Sequence, residues 1–240
     1  MSAGAAAFHE WIGSAGEFHG RDLPTPAPGS LDVWAVNPTE ATIVAGSTQR
    51  HALDEARAEA AGLATARRRS GGGVVVVEPV HTVWIDVVVA RGDERVSDDV
   101  GRSFDWIGGV LAAAVRSGGV EVAVHRGAGT WDRLGRLVCF AGVGPGESLD
   151  PQGRKVVGLS QRRTREQVRF QTVAYRQVPV EATLAALRDD QFPGDQFSGG
   201  RAAAVAELAR RTAPLGTDRA VRWWQHHVAD ALTQASAVIT

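Results

Sequence analysis

The chain has 240 residues, 44% of them hydrophobic, and a formal net charge of −1 at neutral pH. That length buries a substantial core as one large domain or two small ones, and near-neutrality gives no sign of a general polyanion or membrane-surface binder. A single cysteine excludes an internal disulfide and a cysteine-based zinc site. No apolar run approaches the roughly 20 residues of a membrane helix, and residues 1–7 lack the basic and apolar regions of a secretory signal. The expectation is a cytoplasmic protein without nucleic-acid or membrane partners.

In chain order, residues 1–20 are rich in Ala and Gly and predict a loosely held N-terminal helix. Repeated proline in residues 23–29 removes donors and fixes φ, which makes a linker or surface strap. Residues 31–36 and 41–45 are short apolar runs around Asn37-Pro38 and predict a hairpin. Residues 47–61 read as a helix with Leu53, Ala56 and Ala60 on one face. Residues 63–66 and 74–77 predict strands on either side of an Arg- and Gly-rich stretch, and residues 82–90 a central strand by their β-branched content. Ser97, Asp98 and Asp99 open a helix in which Phe104, Ile107, Leu111 and Ala114 recur at helical spacing until Gly118-Gly119 ends it. Residues 120–124, 137–141, 155–160 and 168–175 predict further strands. After Pro179 the chain turns helical over 180–187 and 201–211, and Ala220, Trp224, Val228 and Leu232 share one face of a last helix. The pattern is one α/β or α+β domain, organised as an N-terminal helix and strap (1–30), a core (31–178) and a helical tail (179–240) packed on that core.

Two stretches carry chemistry. In Arg67-Arg68-Arg69-Ser70-Gly71-Gly72-Gly73 the glycines let a ligand approach backbone N–H groups, and the arginines add forked donors suited to phosphate or carboxylate. The valines Val74 to Val77 behind it anchor the loop as a buried strand, and the whole reads as a cradle for an anion. The second stretch, Gly153-Arg154-Lys155-Val156-Val157-Gly158-Leu159-Ser160-Gln161, sets one lysine between a turn and an apolar strand. Arg162, Arg163 and Arg165 form a basic cluster after it, equally suited to phosphates, to an acidic partner or to plain solvation. His226-His227 are neighbours on a helix and point apart, His81 and His125 stand alone, and Ser160 lacks a nucleophile elbow, so no metal site is expected.

Residues 67–75 look like the RRxSGGGAV signature, and residues 153–161 like the GRKxxGSAQ signature, of the lipoate–protein ligase and octanoyltransferase family, which shares a fold with biotin–protein ligases. The resemblance runs from about Val33 to Val178. It implies a single catalytic domain with a mixed, mainly antiparallel sheet flanked by helices. It also assigns ligand and nucleotide binding to Arg68, Arg69, Ser70, Gly71, Gly72, Gly73, Val74, Gly158 and Ser160, with Lys155 as the central cation. The family's His-Asp pair after the glycines is matched here by Val77 and Glu78, and the serine-alanine after the lysine motif by Leu159-Ser160. The Gly-Arg-Gly-Arg loop of biotin ligases is absent.

Three functions follow from this resemblance. The first is a ligase that uses ATP and Mg²⁺ to activate lipoate or a medium-chain acid and then acylates a lysine of a lipoyl carrier domain or a glycine-cleavage H-like protein. The second is an octanoyltransferase that takes the acyl group from acyl carrier protein onto Cys139, a residue that the apolar context also suits as a small buried hydrophobe. The third is a relative that binds an acyl ligand or carrier domain without turnover. Since the large accessory domain of some ligases does not fit after Val178, a separate accessory protein is a further candidate partner. In the ligase reading Lys155→Ala leaves the fold intact and removes acyl-adenylate formation.

Overall fold

The computed structural model describes residues 6–49, 51–192 and 199–237. In chain order the elements are β1 (Ala6–Gly13), α1 (Ala15–Gly20), β2 (Leu31–Pro38), β3 (Thr42–Ala45), α2 (Glu55–Ala60), β4 (Ala64–Arg67), β5 (Val75–Val77), β6 (Thr82–Ala90), α3 (Phe104–Ser117), β7 (Ala123–Val124) and α4 (Arg133–Leu137). There follow β8 (Ser148–Leu149), β9 (Lys155–Arg163), β10 (Gln167–Tyr175), α5 (Val180–Ala185), α6 (Gly200–Arg211) and α7 (Val221–Ala237), with 3-10 turns at Cys139–Ala141 and Asp189–Gln191.

Seven strands form one sheet in the order β1-β2-β6-β10-β9-β8-β7, antiparallel except where β1 lies parallel to β2. β6 is buried along its whole length, and alternation divides its side chains between two cores. Ile85 and Val87 face α3 and α7, while Trp84 and Val88 face α1, α5, α6 and a second, three-stranded sheet in the order β4-β3-β5. The fold is therefore mixed α/β, with a mainly antiparallel sheet flanked by helices, as the sequence led us to expect. Among the described residues no helix is long and apolar enough to cross a membrane.

Several local expectations fail for identifiable reasons. Residues 6–13 form an edge strand and only 15–20 a short helix, capped by Ser14. The free edge of β2 offers main-chain partners from Leu31 to Pro38, and eight paired residues outweigh the helix propensity of alanine. The expected hairpin at Asn37-Pro38 does not form: β1 and β6 occupy both edges of β2, so β3 joins the other sheet between β4 and β5. The helix expected over 47–61 shrinks to α2, capped by the Asp54 carboxylate. The Ser97–Asp99 segment caps a turn, with Asp99 accepting from the Arg102 N–H at 2.9 Å, and α3 begins only at Phe104. Within 120–124 only Ala123 and Val124 pair as a strand. The segment 137–141 is not a strand but the end of α4 and a 3-10 turn that buries Leu137, Val138, Phe140 and Ala141, since a five-residue apolar run fixes no period.

The helical tail touches the core at the second signature stretch. The Ala213 N–H donates to the Lys155 carbonyl at 2.9 Å, and Arg211 donates to the Ala141 carbonyl at 2.9 Å while pairing with Asp132.

At the centre of β6 the wholly buried Asp86 accepts from Arg169 Nε at 2.5 Å, from Trp84 Nε1 at 2.7 Å and from Gln171 Nε2 at 3.2 Å. A buried carboxylate so bound cannot be replaced without stranding its cation. Asp86→Ala is expected to lower the unfolding free energy by about 3–5 kcal/mol, read by urea denaturation.

Candidate functional site

The site forms where the two signature stretches meet. Gly71, Gly72 and Gly73 cross from β4 to β5, and Gly72 holds φ at +96°, a conformation natural to glycine alone. Arg68 sits beneath the loop, 4% exposed, and donates to the carbonyls of Gly71 (2.9 Å), Gly73 (2.7 Å) and Val44 (3.3 Å). Burial lowers this guanidinium from its ordinary value, against opposing contributions from Cys139 and Tyr175. Its donors thus hold the loop's shape. Arg69 instead turns to Asp22 and the Gly20 carbonyl on an exposed side. Val74 is fully buried and exchanges backbone bonds with the α4 end: its N–H donates to Leu137 at 2.8 Å, and the Cys139 N–H donates to Val74 at 3.0 Å.

Lys155, the first residue of β9, is 1% exposed. Its ammonium lies 2.6 Å from Glu147 Oε2 and donates to the Cys139 carbonyl at 2.7 Å, which leaves one of three donors for a ligand. The Glu147 carboxylate is in turn fixed by the N–H groups of Gly144 (2.7 Å) and Leu159 (3.0 Å). Lys155→Ala therefore carries a cost that the sequence did not suggest, because it leaves a buried Glu147 without its counter-charge. Sequence reasoning missed Glu147, since a turn separates it from Lys155 and no spacing rule links them.

Ser70 and Ser160, 90 positions apart, also meet: their hydroxyls lie 3.2 Å apart, and Ser70 donates to Gln171 Oε1 at 2.6 Å. Gly158 faces the Phe140 ring so closely that an added Cβ would lie 3.0 Å from it.

Two spaces open here. An outer cavity of about 670 Å³ is lined by Gly71, Gly72, Gly73, Lys155, Glu147 and the half-exposed Trp131, among others. Behind it lies an inner pocket with about 30 Å³ free, walled by Val77, Trp84, Phe140, Gly158, Gln171 and His19. Cys139, Leu159 and Ser160 line both. Cys139 is half-buried in a turn rather than on a strand, and it lies on the wall of both spaces.

His19, from α1, is a second residue the sequence did not reveal, because the α1 segment carries no motif. Burial above all, with the charges of Arg169 and Arg68 adding, lowers its imidazole from 6.5 to about 3, so it is neutral in the folded protein. Other candidates lie elsewhere. Arg162 pairs with Asp22 at 3.6 Å, Arg163 donates to the carbonyls of Ser97 and Asp98, and Arg165 is exposed. Among the described residues no three His, Cys, Asp or Glu side chains cluster to hold a metal ion.

Two predictions follow from this geometry. An added Cβ on Gly73 would stand 2.5 Å from the Cys139 N, whereas one on Gly71 meets nothing within 4 Å. Gly73→Ala is expected to cost about 1–3 kcal/mol of stability and Gly71→Ala under about 1, by thermal or urea unfolding. Between pH 6.5 and 3 the unfolded chain binds a proton at His19 that the folded chain does not, so stability falls as pH falls through that window. The His19 contribution to that loss is about 3 kcal/mol at pH 4, and His19→Gln is expected to flatten the wild-type pH dependence of unfolding by that amount.

The fold matches an archaeal bipartite lipoate protein ligase of Thermoplasma acidophilum, solved in a study that included its E2 lipoyl domain, with a TM-score of 0.73 at 13% identity over 97% of this chain and 84% of that one. It matches protein Ta0514 of T. acidophilum with bound lipoic acid (TM-score 0.67, 14% identity, 98% and 85% covered) and a lipoate-protein ligase A bound with ATP (0.64, 13%, 98% and 85%). A search of curated protein sequences returns no match. The sequence profile of the lipoyl protein ligase A/B catalytic domain matches residues 27–214, a span that contains the glycine loop, Lys155 and Glu147, and the chain belongs to that family.

Proposed function

We propose that this protein activates lipoate, or a medium-chain acid of similar length, with ATP and transfers the acyl group to a lysine of a carrier domain. In the first step a carboxylate oxygen attacks the α-phosphorus, the bond to pyrophosphate breaks, and acyl-AMP forms. In the second the lysine amine attacks the acyl carbonyl, AMP leaves, and the amine loses a proton.

One observation carries the reading: a buried ammonium, held by Glu147 and the Cys139 carbonyl, shares a cavity with the Gly71–Gly73 loop. Two anions must meet in the first step, and a fixed cation with a spare donor beside an exposed backbone turn lowers that barrier without reorganising. In this reading Lys155 bridges carboxylate and phosphate oxygens, the loop lets phosphate approach closely, and Arg68 and Arg69 hold the loop and its flank. Ser70, Ser160 and Gly158 shape the passage for the acyl chain, and Val74 anchors the loop. Mg²⁺ would be carried by the nucleotide's own phosphates, since both Glu147 oxygens are already bonded. The structural relatives solved with lipoic acid, with ATP and alongside an E2 lipoyl domain support the choice of substrates and of a lipoyl carrier as partner. A glycine-cleavage H-like protein is an alternative acceptor, a separate accessory protein a further partner, and the cytoplasm the place of action.

The position of Cys139 on the wall of both spaces favours a second reading, transfer of an octanoyl group from acyl carrier protein through a Cys139 thioester without ATP. Binding of an acyl ligand or carrier domain without turnover is the outcome if neither reaction is found.

The test uses the double variant Lys155→Met/Glu147→Gln, which removes the cation without stranding a buried carboxylate. Lipoate-dependent ATP–pyrophosphate exchange is expected in the wild type and to fall at least about 100-fold in the variant, with circular dichroism unchanged. Exchange that survives in the variant overturns the role of Lys155. An octanoyl mass increment on Cys139 after mixing with octanoyl-carrier, in a protein without exchange activity, selects the transferase.

A further inference from the structure

The inner pocket is apolar on most of its walls, and its polar groups come from His19, Arg68, Ser160 and Gln171. His19 is 5% exposed, neutral, and packed against Trp84 with ring centroids 4.7 Å apart and planes tilted by 30°. Its tautomer follows from its neighbours. The Gln171 amide is oriented by Ser70, which donates to its Oε1 at 2.6 Å, so its Nε2 is the donor end, 3.2 Å from Asp86 Oδ2 and 3.3 Å from His19 Nδ1. Nδ1 therefore accepts, and the proton of a neutral imidazole resides on Nε2. That N–H has no hydrogen bond to a protein group among the described residues, and its side chain lies on the wall of the inner pocket. A ligand atom that accepts from it completes the hydrogen bonding of the imidazole.

We propose that His19 reads the far end of the acyl chain, so that the inner pocket takes an acid whose terminal segment bears a hydrogen-bond acceptor: a ring sulfur, a hydroxyl or a carbonyl. The inference rests on the acyl-activation reading for which acid enters, and on the hydrogen bonds around a neutral His19 for what His19 offers it. An unsubstituted alkyl chain fills the same space but leaves the N–H unpaired, and sites built around a polar partner reject analogues that lack it. The free volume of about 30 Å³ admits about one water, so the chain enters as the Phe140 ring gives way, while His19 stays held by Gln171 and Trp84.

The experiment measures kcat/KM for ATP–pyrophosphate exchange with lipoate, 8-hydroxyoctanoate and octanoate, in the full chain and in His19→Leu and His19→Gln. The wild type is expected to favour the two acceptor-bearing acids at least tenfold over octanoate. In His19→Leu both fall to the octanoate level, and His19→Gln, which keeps an N–H donor, retains part of the preference. A wild type that treats the three acids alike overturns the proposal, as does a His19→Leu variant in which all three fall by one factor. If no acid supports exchange, the activation reading fails by itself, and the affinities of the same acids by isothermal titration calorimetry decide the His19 assignment by the same ratios.

Discussion

An ammonium group withdrawn from water must find its counter-charge inside the protein, and the placement of Lys155 depends on Glu147 meeting that demand. The pair is buried on both sides, and each Glu147 oxygen is also pinned by a main-chain N–H, so the carboxylate has no freedom to swing away. Such a pair contributes little net stability relative to an apolar substitute, because desolvation cancels most of the attraction. What it gives is position: the charge is held on the cavity wall by three different segments, the turn before β8, β9 and the Cys139 turn.

The glycine loop is fixed by a similar logic with the polarity reversed. Arg68 lies under the loop and takes the carbonyls of Gly71 and Gly73, so these oxygens bond inward. The same residue stands near Cys139 and His19, where its charge helps keep the imidazole neutral. One arginine therefore ties the loop, the thiol-bearing turn and the inner pocket into a single electrostatic unit. Motif reading alone would have aimed it at phosphate.

The fold class and both ends of the site were legible in the sequence because they rest on local signals. β6 declared itself by its β-branched run, β9 and β10 by their length, and the glycine loop by composition. What stayed hidden depended on pairing. β1 is a strand because β2 has a free edge, and β3 leaves for another sheet because β2 then has none. Glu147 and His19 reach the site through turns and a six-residue helix, whose sequences carry no period and no motif. Cys139 was singled out, but the strand expected for it is a turn, since a short apolar stretch packs equally well as a turn that buries Leu137, Val138, Phe140 and Ala141.

The contacts between residues 211–213 and the site bear on how the molecule can be divided. Ala213 hydrogen-bonds the main chain of Lys155 itself, and Arg211 ties the turn that carries Cys139 to α4 through Asp132. The helical tail is therefore a brace on β9 and the Cys139 turn rather than an appendage. A split version cut near Pro179 would regain the Lys155 geometry only on reassembly, each half holding what the other needs to keep its shape.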